Sequence, residues 1–453
     1  MFSRVLVANR GEIAVRVIRA LHELGIEAVT VYSTADEGAL HVRLADRAVK
    51  IGPPPAAQSY LSLPAIVAAA KTTGCEAVHP GYGFLAENAD FVRACEDNDL
   101  VFIGPPADVM ERMGDKAQAK AELRAAGVPL VPGSEGTATL EQARRAADEL
   151  GYPVLLKAAA GGGGRGMRLV ERADEIEDAY ARASSEAEAA FSDGTLYVEK
   201  AITPARHVEI QVICDSLGNV LTCGERECSI QRRHQKLIEE SPSPALDPAQ
   251  REAMESAVER ACMHIGYRNA GTFEFLVGTD GAFSFIELNA RLQVEHPVTE
   301  VVTQLDLVRL QVAVAAGEAL PLSGRAPRSG HAIEVRINAE DPLRGFAPAP
   351  GRLERFRAPL GPGVRVDTFV EDGTVIPPYY DSLIAKVIVR DETRDLCITR
   401  TRRALGDLDI RGVPTTRDAV YEILASDEFA SGDYSTSFID EAGAKLPALA
   451  GGA

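Results

Sequence analysis

Along the first hundred residues of the chain, short apolar runs alternate with segments whose apolar residues recur at helical spacing. Four of these runs predict buried strands: RVLVA (4–8), EAVTVYS (27–33), EAVHPG (76–81) and LVFIG (100–104). Between the first two runs, Ile13, Val17 and Leu21 recur at the spacing of one helix face. Gly25 stands where such a helix would end. Strand, helix and strand in this order predict a doubly wound parallel sheet with helices packed on its faces.

The middle of the chain follows a different pattern. It predicts helices over 116–127, 139–150 and 174–190, and a strand over LYVEK (196–200). The apolar runs VLLK and MRLV flank a glycine-rich loop, so they predict a hairpin. These elements together predict a small α+β unit with the loop at its tip.

The remaining residues predict mainly strands. The runs are HVEIQVI, NVLTCGER, GTFEFLV, AFSFIEL, HAIEVRI and SLIAKVIV. Helices are predicted near 248–265 and 303–317. Because 319–330 is rich in proline and glycine, we interpret it as a linker before a last domain.

Composition excludes several classes of function. The chain has 453 residues with a net charge of −18, which argues against a general nucleic-acid binder. No apolar run is long enough to predict a membrane span, and no secretory signal pattern opens the chain. Seven scattered cysteines are typical of a reducing compartment, so we expect a cytoplasmic protein.

The stretch KAAAGGGGRGMR (157–168) places four glycines between the two strands of the predicted hairpin. Glycine-rich backbone exposes N–H groups that can wrap phosphate oxygens closely. For a glycine run taken alone, a mobile surface loop is the simpler interpretation. Phosphate and metal chemistry elsewhere in the chain would favour a nucleotide site.

Such chemistry is indicated by GTFEFLVGTDGAFSFIELN (271–289), which predicts a hairpin turning at 279–281. This turn places Glu274 opposite Glu287, and Asn289 faces the same way as Glu287. Two carboxylates and an amide on one face suit Mg²⁺, which shares its ligand shell with substrate phosphates. The alternative is a solvated glutamate on an edge strand.

Two polar clusters add groups that bind anions. In ARLQVEHPVTE (290–300), Arg291 offers a planar fork for a carboxylate or bicarbonate, and Glu295 could act as a base. The run RECSIQRRHQK (226–236) adds further cations, including Lys236. Taken alone, such a charge run is more often a solvated face.

These segments, with several others, resemble biotin carboxylase, the ATP-grasp component of biotin-dependent carboxylases. The similar blocks are VANRGEIA, HPGYGFLAEN, MGDK, KAAAGGGGRGM, ERECSIQRRHQK, ELNARLQVEHPVTE, EVRINAEDP and PPYYDSLIAK. They run in order from about residue 2 to about residue 440. The resemblance implies an α/β and α+β ATP-grasp fold: an N-terminal doubly wound domain (1–115), an ATP-grasp region (116–330) with a mobile lid at about 131–203, and a C-terminal biotin carboxylase domain (331–446).

The resemblance also implies roles for individual residues. Nucleotide contacts are expected from Lys116, Lys157, Gly163, Gly164, Met167, Glu199, Lys200, Ile202, His207, Gln231, His234 and Leu276, together with Glu274 and Glu287. The implied metal ligands are Glu274, Glu287 and Asn289. The bicarbonate pocket is implied to contain Lys236, Arg291, Gln293 and Val294, with Glu295 as base. Tyr82, Gly83 and Arg336 are implied on the biotin side.

The function implied is carboxylation of biotin by bicarbonate through carboxyphosphate, dependent on ATP and on Mg²⁺ or Mn²⁺. It would form the first half-reaction of an acyl-CoA carboxylase, as in malonyl-CoA formation for fatty acid synthesis. Because no Ala-Met-Lys-Met motif is present, biotin is expected on a separate biotin carboxyl carrier protein. The other expected partners are carboxyltransferase subunits and a second copy in a homodimer, with no nucleic acid and no membrane.

Two alternatives and one departure accompany this interpretation. The chain could be another ATP-grasp ligase that joins a carboxylate to an amine, or a non-catalytic nucleotide-binding regulatory subunit. In the second case at least one of Glu274, Glu287, Arg291 and Glu295 should be missing, and all are present. Ala159 and Ala160 stand where the family commonly has a serine and a further glycine. This departure bears on lid motion and nucleotide affinity.

Overall fold

The structure is a computed structural model. It describes residues 1–134, 136, 139–159, 167–191, 193–232, 235–442 and 445–449. Among the helices so described, none combines the length and the apolar character that crossing a bilayer requires.

The N-terminal region is a doubly wound parallel sheet, as predicted. Its strands are β1 (Arg4–Val7), β2 (Glu27–Ser33), β3 (Arg47–Gly52), β4 (Ala77–His79) and β5 (Val101–Phe102), in the order β3-β2-β1-β4-β5. Its helices are α1 (Gly11–Glu23), α2 (Leu40–Leu44), α3 (Leu63–Thr73), α4 (Ala89–Glu96) and α5 (Ala107–Gly114), with short 3-10 turns at Thr34–Asp36 and Ala56–Gln58. Strand β3 was not predicted, because it lies at the sheet edge and only one of its six residues is buried.

The middle region forms a small α+β unit around the glycine-rich hairpin. Its elements are α6 (Lys116–Ala125), α7 (Leu140–Leu150), β6 (Val154–Ala158), β7 (Arg168–Val170), a 3-10 turn (Ala173–Glu175), α8 (Ile176–Phe191) and β8 (Leu196–Lys200). Strands β6 and β7 pair antiparallel, with Val154 opposite Val170, which confirms the predicted hairpin. Its glycine tip lies outside the described residues.

A large sheet joins the rest of the middle region to the C-terminal region. Its strands are β9 (Ala205–Cys214), β10 (Val220–Arg232), β11 (Gln235–Ser241), β12 (Asn269–Gly278), β13 (Phe283–Asn289), β14 (Gly324–Arg325) and β15 (His331–Asn338). The helices between them are α9 (Pro248–Ile265), α10 (His296–Thr303) and α11 (Leu307–Ala315). The segment 319–330, interpreted above as a linker, contains β14, which pairs in parallel with β10.

The C-terminal region extends the same sheet. It contains β16 (Glu340–Asp341), a 3-10 turn (Pro342–Arg344), β17 (Ala347–Pro348), β18 (Gly351–Arg352), β19 (Arg355–Arg357), β20 (Val364–Thr368), β21 (Val375–Ile376), β22 (Leu383–Asp391) and β23 (Asp409–Arg411). Its helices are α12 (Arg394–Asp407), α13 (Arg417–Ile423), α14 (Asp427–Ser431) and α15 (Phe438–Ala442). The main path of the sheet is β13-β12-β9-β10-β11-β15-β22-β20. Strands before and after residue 330 therefore share one sheet.

The helix predicted over 303–317 is wrong at its first residues. Helix α10 ends at Thr303, and Gln304 takes a left-handed conformation with φ of 61°. Asp306 then caps α11 by accepting a hydrogen bond from the backbone N–H of Arg309. The break lets α10 pack across β10, β11 and β15, which brings Glu295 to the sheet just before the helix begins.

Candidate active site

The acidic hairpin has the predicted register. Glu274 on β12 lies directly opposite Glu287 on β13, and Gly281 supplies the left-handed turn between the strands with φ of 79°. The amide of Asn289 donates to Oε1 of Glu274 over 2.9 Å. Glu274 is buried and Glu287 is exposed. The carboxylate and amide oxygens of these three residues are hard ligands that fit Mg²⁺ or Mn²⁺.

Lys236 lies at the centre of the site. Its ammonium contacts Glu209 over 2.6 Å, Glu274 over 3.2 Å, and Glu295. Burial disfavours the charged ammonium, but the acidic groups around it raise the pKa of Lys236 well above its usual value. Lys236 is therefore a fixed positive charge beside the proposed metal ligands.

Glu295 connects Lys236 to Arg336. Its second oxygen accepts from the guanidinium of Arg336 over 2.9 Å. Burial opposes ionisation of Glu295, yet Lys236 and Arg336 outweigh it and hold the pKa of this carboxyl well below its usual range. Glu295 is thus ionised at neutral pH, with one oxygen held by Lys236 and the other by Arg336.

A fully buried arginine orients the polar side chains beneath this centre. Arg226 has no exposed surface and pairs with Glu209 over 2.5 Å. It also donates to the side-chain oxygen of Gln293 over 2.9 Å. That contact leaves the Gln293 amide to donate to Glu274 over 2.7 Å. Each buried polar group in this chain of contacts has a partner, which fixes its orientation.

Arg291 joins the site to the N-terminal region. Its guanidinium pairs with Glu87 over 2.8 Å and donates to the side-chain oxygen of Asn289 over 3.0 Å. The backbone N–H of Ala290 also donates to Glu87 over 3.1 Å. Glu87 therefore holds both the strand end and the arginine side chain.

One cavity of about 520 Å³ opens onto these groups. It brings together six of the predicted substrate residues: Tyr82, Gly83, Lys236, Arg291, Val294 and Arg336. Lys386 is fully buried behind it, pairs with Glu12 over 3.1 Å and donates to the carbonyl of Val294 over 2.8 Å. Tyr82 donates its hydroxyl to the same Glu12.

The predicted nucleotide residues surround a second group of charges. Glu199 lies between Lys120 and Lys157, 2.5 Å from each ammonium. Burial disfavours the charged form of Glu199, but Lys157 and Lys120 lower its pKa below the usual value. His207 pairs with Glu274 over 3.0 Å. This contact links the proposed nucleotide residues to the metal hairpin.

The other predicted nucleotide residues have different surroundings. Lys116 interacts electrostatically with Glu287 and Lys157, and burial lowers its pKa. Lys200 turns away to donate to the carbonyls of Gly151 and Tyr152, over 2.9 and 3.1 Å. The positions Met167, Ile202, Gln231 and Leu276 are described, with Gln231 paired to Lys236 and Leu276 to His207 across their strands. Gly163, Gly164, His234 and Ala160 lie outside the described residues.

Several residues of the site were not found from the sequence. They are Glu209, Arg226, Glu87 and Lys120, whose contacts are described above, and Glu239, which contacts Arg336 over 2.5 Å. The available signal was a charge inside an apolar strand, as in HVEIQVI, where Glu209 interrupts the buried Val208 and Ile210. The pattern alone does not reveal the partner of such a charge, which comes from a distant strand.

Comparison with known proteins gives a consistent result along the chain. Residues 1–110 match the family "Biotin carboxylase, N-terminal domain", 115–323 match "Carbamoyl-phosphate synthase L chain, ATP binding domain", and 334–441 match "Biotin carboxylase C-terminal domain". A biotin carboxylase of Nostoc sp. is 52% identical over 442 residues, which cover 97% of this chain and 99% of the relative.

Solved structures agree with these matches. A biotin carboxylase complex with β,γ-ATP from Campylobacter jejuni has a TM-score of 0.94 at 46% identity, covering 97% of this chain and 99% of that one. The biotin carboxylase domain dimer of 2-oxoglutarate carboxylase from Hydrogenobacter thermophilus contains MgADP, ADP and bicarbonate. It has a TM-score of 0.94 at 49% identity and covers 98% of each chain.

The doubly wound domain, the hairpin of paired carboxylates and the lysine-centred site define an ATP-grasp enzyme, an ATP-dependent ligase. Within that class, the chain belongs to the biotin carboxylase family. The resemblance inferred from the sequence is therefore confirmed over nearly the whole chain, whereas the roles of single residues remain predictions.

Proposed function

We propose that the cluster around Lys236 carries out the reaction of the family, ATP-dependent carboxylation of biotin by bicarbonate. The observation that carries the proposal is the position of Glu295, whose two oxygens contact Lys236 and Arg336. An ionised base beside two fixed cations suits an anionic substrate that must lose a proton.

In the first step, Lys236 and Arg291 hold bicarbonate while Glu295 accepts its proton. A bicarbonate oxygen then attacks the γ-phosphorus of ATP. This attack forms carboxyphosphate and releases ADP. Mg²⁺ or Mn²⁺, bound through Glu274, Glu287 and Asn289, would supply charge neutralisation at the phosphates. Lys157 adds a positive charge at the nucleotide end of the site.

In the second step, carboxyphosphate breaks to CO₂ and phosphate, and the phosphate removes the ureido proton of biotin. The ureido nitrogen then attacks CO₂ to form carboxybiotin. Arg336 stabilises the negative charge that develops on the ureido oxygen. The role of Arg336 in this step is supported by the cavity, whose lining includes Arg336 together with Tyr82 and Gly83.

We also propose that biotin is presented by a separate carrier protein, with carboxyltransferase subunits as further partners. The support is the 99% coverage of the Nostoc relative, which is itself called biotin carboxylase. The dimer of the Hydrogenobacter domain supports a homodimer here. All seven cysteines are free and buried, which fits a cytoplasmic protein. An acyl-CoA acceptor, as in malonyl-CoA formation, is tested by identifying the transferase that copurifies with the carrier.

Two variants test the assignment of the steps. Glu295→Gln should abolish bicarbonate-dependent ATP hydrolysis and carboxybiotin formation together, because no carboxyphosphate forms. Arg336→Ala should retain much of the hydrolysis, while carboxybiotin falls by about 10²–10³. Phosphate release and carboxybiotin are measured on the same samples, with the exposed Arg411→Ala as control. Equal losses of both activities in Arg336→Ala would remove Arg336 from the biotin step.

A further inference from the structure

Two buried glutamates face each other behind Arg336, and the reaction steps above use neither. Glu239 on β11 is directly opposite Glu334 on β15. Both side chains are fully buried. Directly opposed residues of an antiparallel pair have Cβ atoms about 5 Å apart, so two ionised carboxylates at these positions would repel strongly.

Both carboxyl groups have buried oxygens that lack a hydrogen-bond donor. Oε1 of Glu239 accepts from Nε of Arg336 over 2.6 Å. Among the described residues, Oε2 of Glu239 and both oxygens of Glu334 have no hydrogen-bond donor. Buried acceptors without a donor are rare and costly. One proton on Glu334 would leave a single oxygen without a partner instead of three, because the Glu334 hydroxyl could donate to the unpaired oxygen of Glu239.

Neighbouring cations do not supply that donor. Among the neighbouring cations, Lys386 of β22 has the strongest electrostatic interaction with Glu334. Its ammonium, however, already contacts Glu12 and the carbonyl of Val294. Lys236 is committed to three other carboxylates. Arg336 contacts Glu239 and Glu295.

The other titratable groups on this side of the sheet include Glu295, Arg365 and Asp367 of β20, and His296 of α10. The guanidinium of Arg365 already contacts Asp367 and Glu300, each over 2.7 Å, so it does not supply the missing donor. Burial lowers the pKa of His296 well below its usual value. Burial also raises the pKa of Glu239 to about 7, and it raises that of Glu334 well above the usual range. Both directions favour a proton held between the two carboxyl groups.

We propose that Glu239 and Glu334 share one proton, carried by Glu334, and that this carboxyl pair positions Arg336 for the biotin step. The second half of the statement rests on the proposed role of Arg336. With the proton on Glu334, Glu239 keeps its negative charge for Arg336. When Glu295 accepts the bicarbonate proton, Arg336 loses one anionic partner but remains anchored through Glu239.

The shared proton is tested by infrared spectroscopy on the full chain. At about pH 8, exposed carboxyls are ionised. We therefore expect the wild type to show the C=O stretching band of a protonated carboxyl at this pH, and we expect Glu334→Gln to lose this band. Glu240→Gln is the matched control. It lies on the same strand, faces the other side of the sheet, and pairs as an ionised group with His331 and Arg394. This control should keep the band.

Thermal stability gives a second measurement. Glutamine imitates a protonated glutamate, so Glu334→Gln should melt within about 2 °C of the wild type. Glu240→Gln breaks a buried ion pair and should melt lower by on the order of 5 °C. A band unchanged in Glu334→Gln, or a Glu334→Gln protein that melts as low as the control or fails to fold, would overturn the shared proton.

Positioning is tested by Glu239→Gln, which removes the anion that holds Arg336. Carboxybiotin formed per phosphate released should fall at least about tenfold, while the KM for ATP stays within about twofold. An unchanged ratio would overturn the positioning role and leave the infrared result intact. If Arg336 has no part in the biotin step, Arg336→Ala will lower phosphate release and carboxybiotin equally. The infrared band then still shows whether Glu239 and Glu334 share a proton.

Discussion

Among the three proposed metal ligands, Glu287 is the exposed one. Glu274 already accepts hydrogen bonds from Lys236, Asn289 and Gln293. Because its side chain is exposed, Glu287 can change its contacts at little cost to the fold. It is therefore the residue at which metal binding and stability are most easily separated.

Glu287→Gln should lower turnover by about two or more orders of magnitude, because phosphoryl transfer depends on charge neutralisation by the metal. Raising the Mg²⁺ concentration should recover part of the loss. The control is Asp280→Asn, which makes the same change of charge in the turn of the hairpin, away from the cluster. Steady-state rates within about threefold of wild type for Glu287→Gln would remove Glu287 from the metal site.

At the scale of elements, the hairpin β6–β7 carries Lys157 at the end of its first strand, next to the glycine loop. Lys157 and Lys120 both pair with Glu199 over 2.5 Å. Only Lys157 lies on the hairpin, whereas Lys120 lies on α6 and stacks over Tyr197. Variants of the two lysines can therefore distinguish a contact with the phosphates of ATP from a contact that only positions Glu199.

Lys157→Met should raise the KM for ATP by about tenfold or more, because a charge-assisted contact to phosphate is lost. Lys120→Met should raise the KM for ATP much less, since Lys120 contacts Glu199 and Tyr197 and lies outside the hairpin. The measurement is steady-state ATP hydrolysis with saturating bicarbonate. Equal increases in the two variants would mean that Lys157 acts through Glu199 and not on the phosphates.

Elements with local signals were predicted well. The hairpin β12–β13 could be placed in register because its turn and its alternation both lie within one short segment, and Glu274 indeed faces Glu287. The partners of Lys236 could not be predicted in this way. Glu209 reaches it from β9, a strand that is not adjacent to β11 in the sheet. Such contacts depend on sheet order, which local periodicity does not encode.

At the scale of the whole molecule, the site lies where the N-terminal and C-terminal regions meet the middle of the chain. The N-terminal region contributes Glu87 to Arg291, and Glu12 to Lys386. The C-terminal region contributes Arg336 to Glu295. Residues remote in sequence therefore depend on the N-terminal sheet for their positions, so loss of that sheet should disrupt the site as well as the fold.

Two buried histidines make the N-terminal sheet sensitive to acid. Burial lowers the pKa of His41 from its ordinary value of 6.5 to about 4, and that of His79 to about 3. Each is neutral in the folded protein at neutral pH, whereas the unfolded chain takes up a proton below about pH 6.5. Their stabilising contribution is therefore complete above about pH 6.5 and is lost as pH falls towards the folded pKa.

The wild type should lose unfolding free energy between about pH 6.5 and pH 4, and His41→Gln should lose less over the same window. At about 1.4 kcal/mol for each pKa unit, the stability difference between the two proteins should change by a few kcal/mol across the window. Urea unfolding at several pH values measures it, with His264→Gln as a control because His264 is exposed on α9. If His41→Gln and His264→Gln show the same pH dependence as the wild type, protonation of His41 does not contribute to acid unfolding.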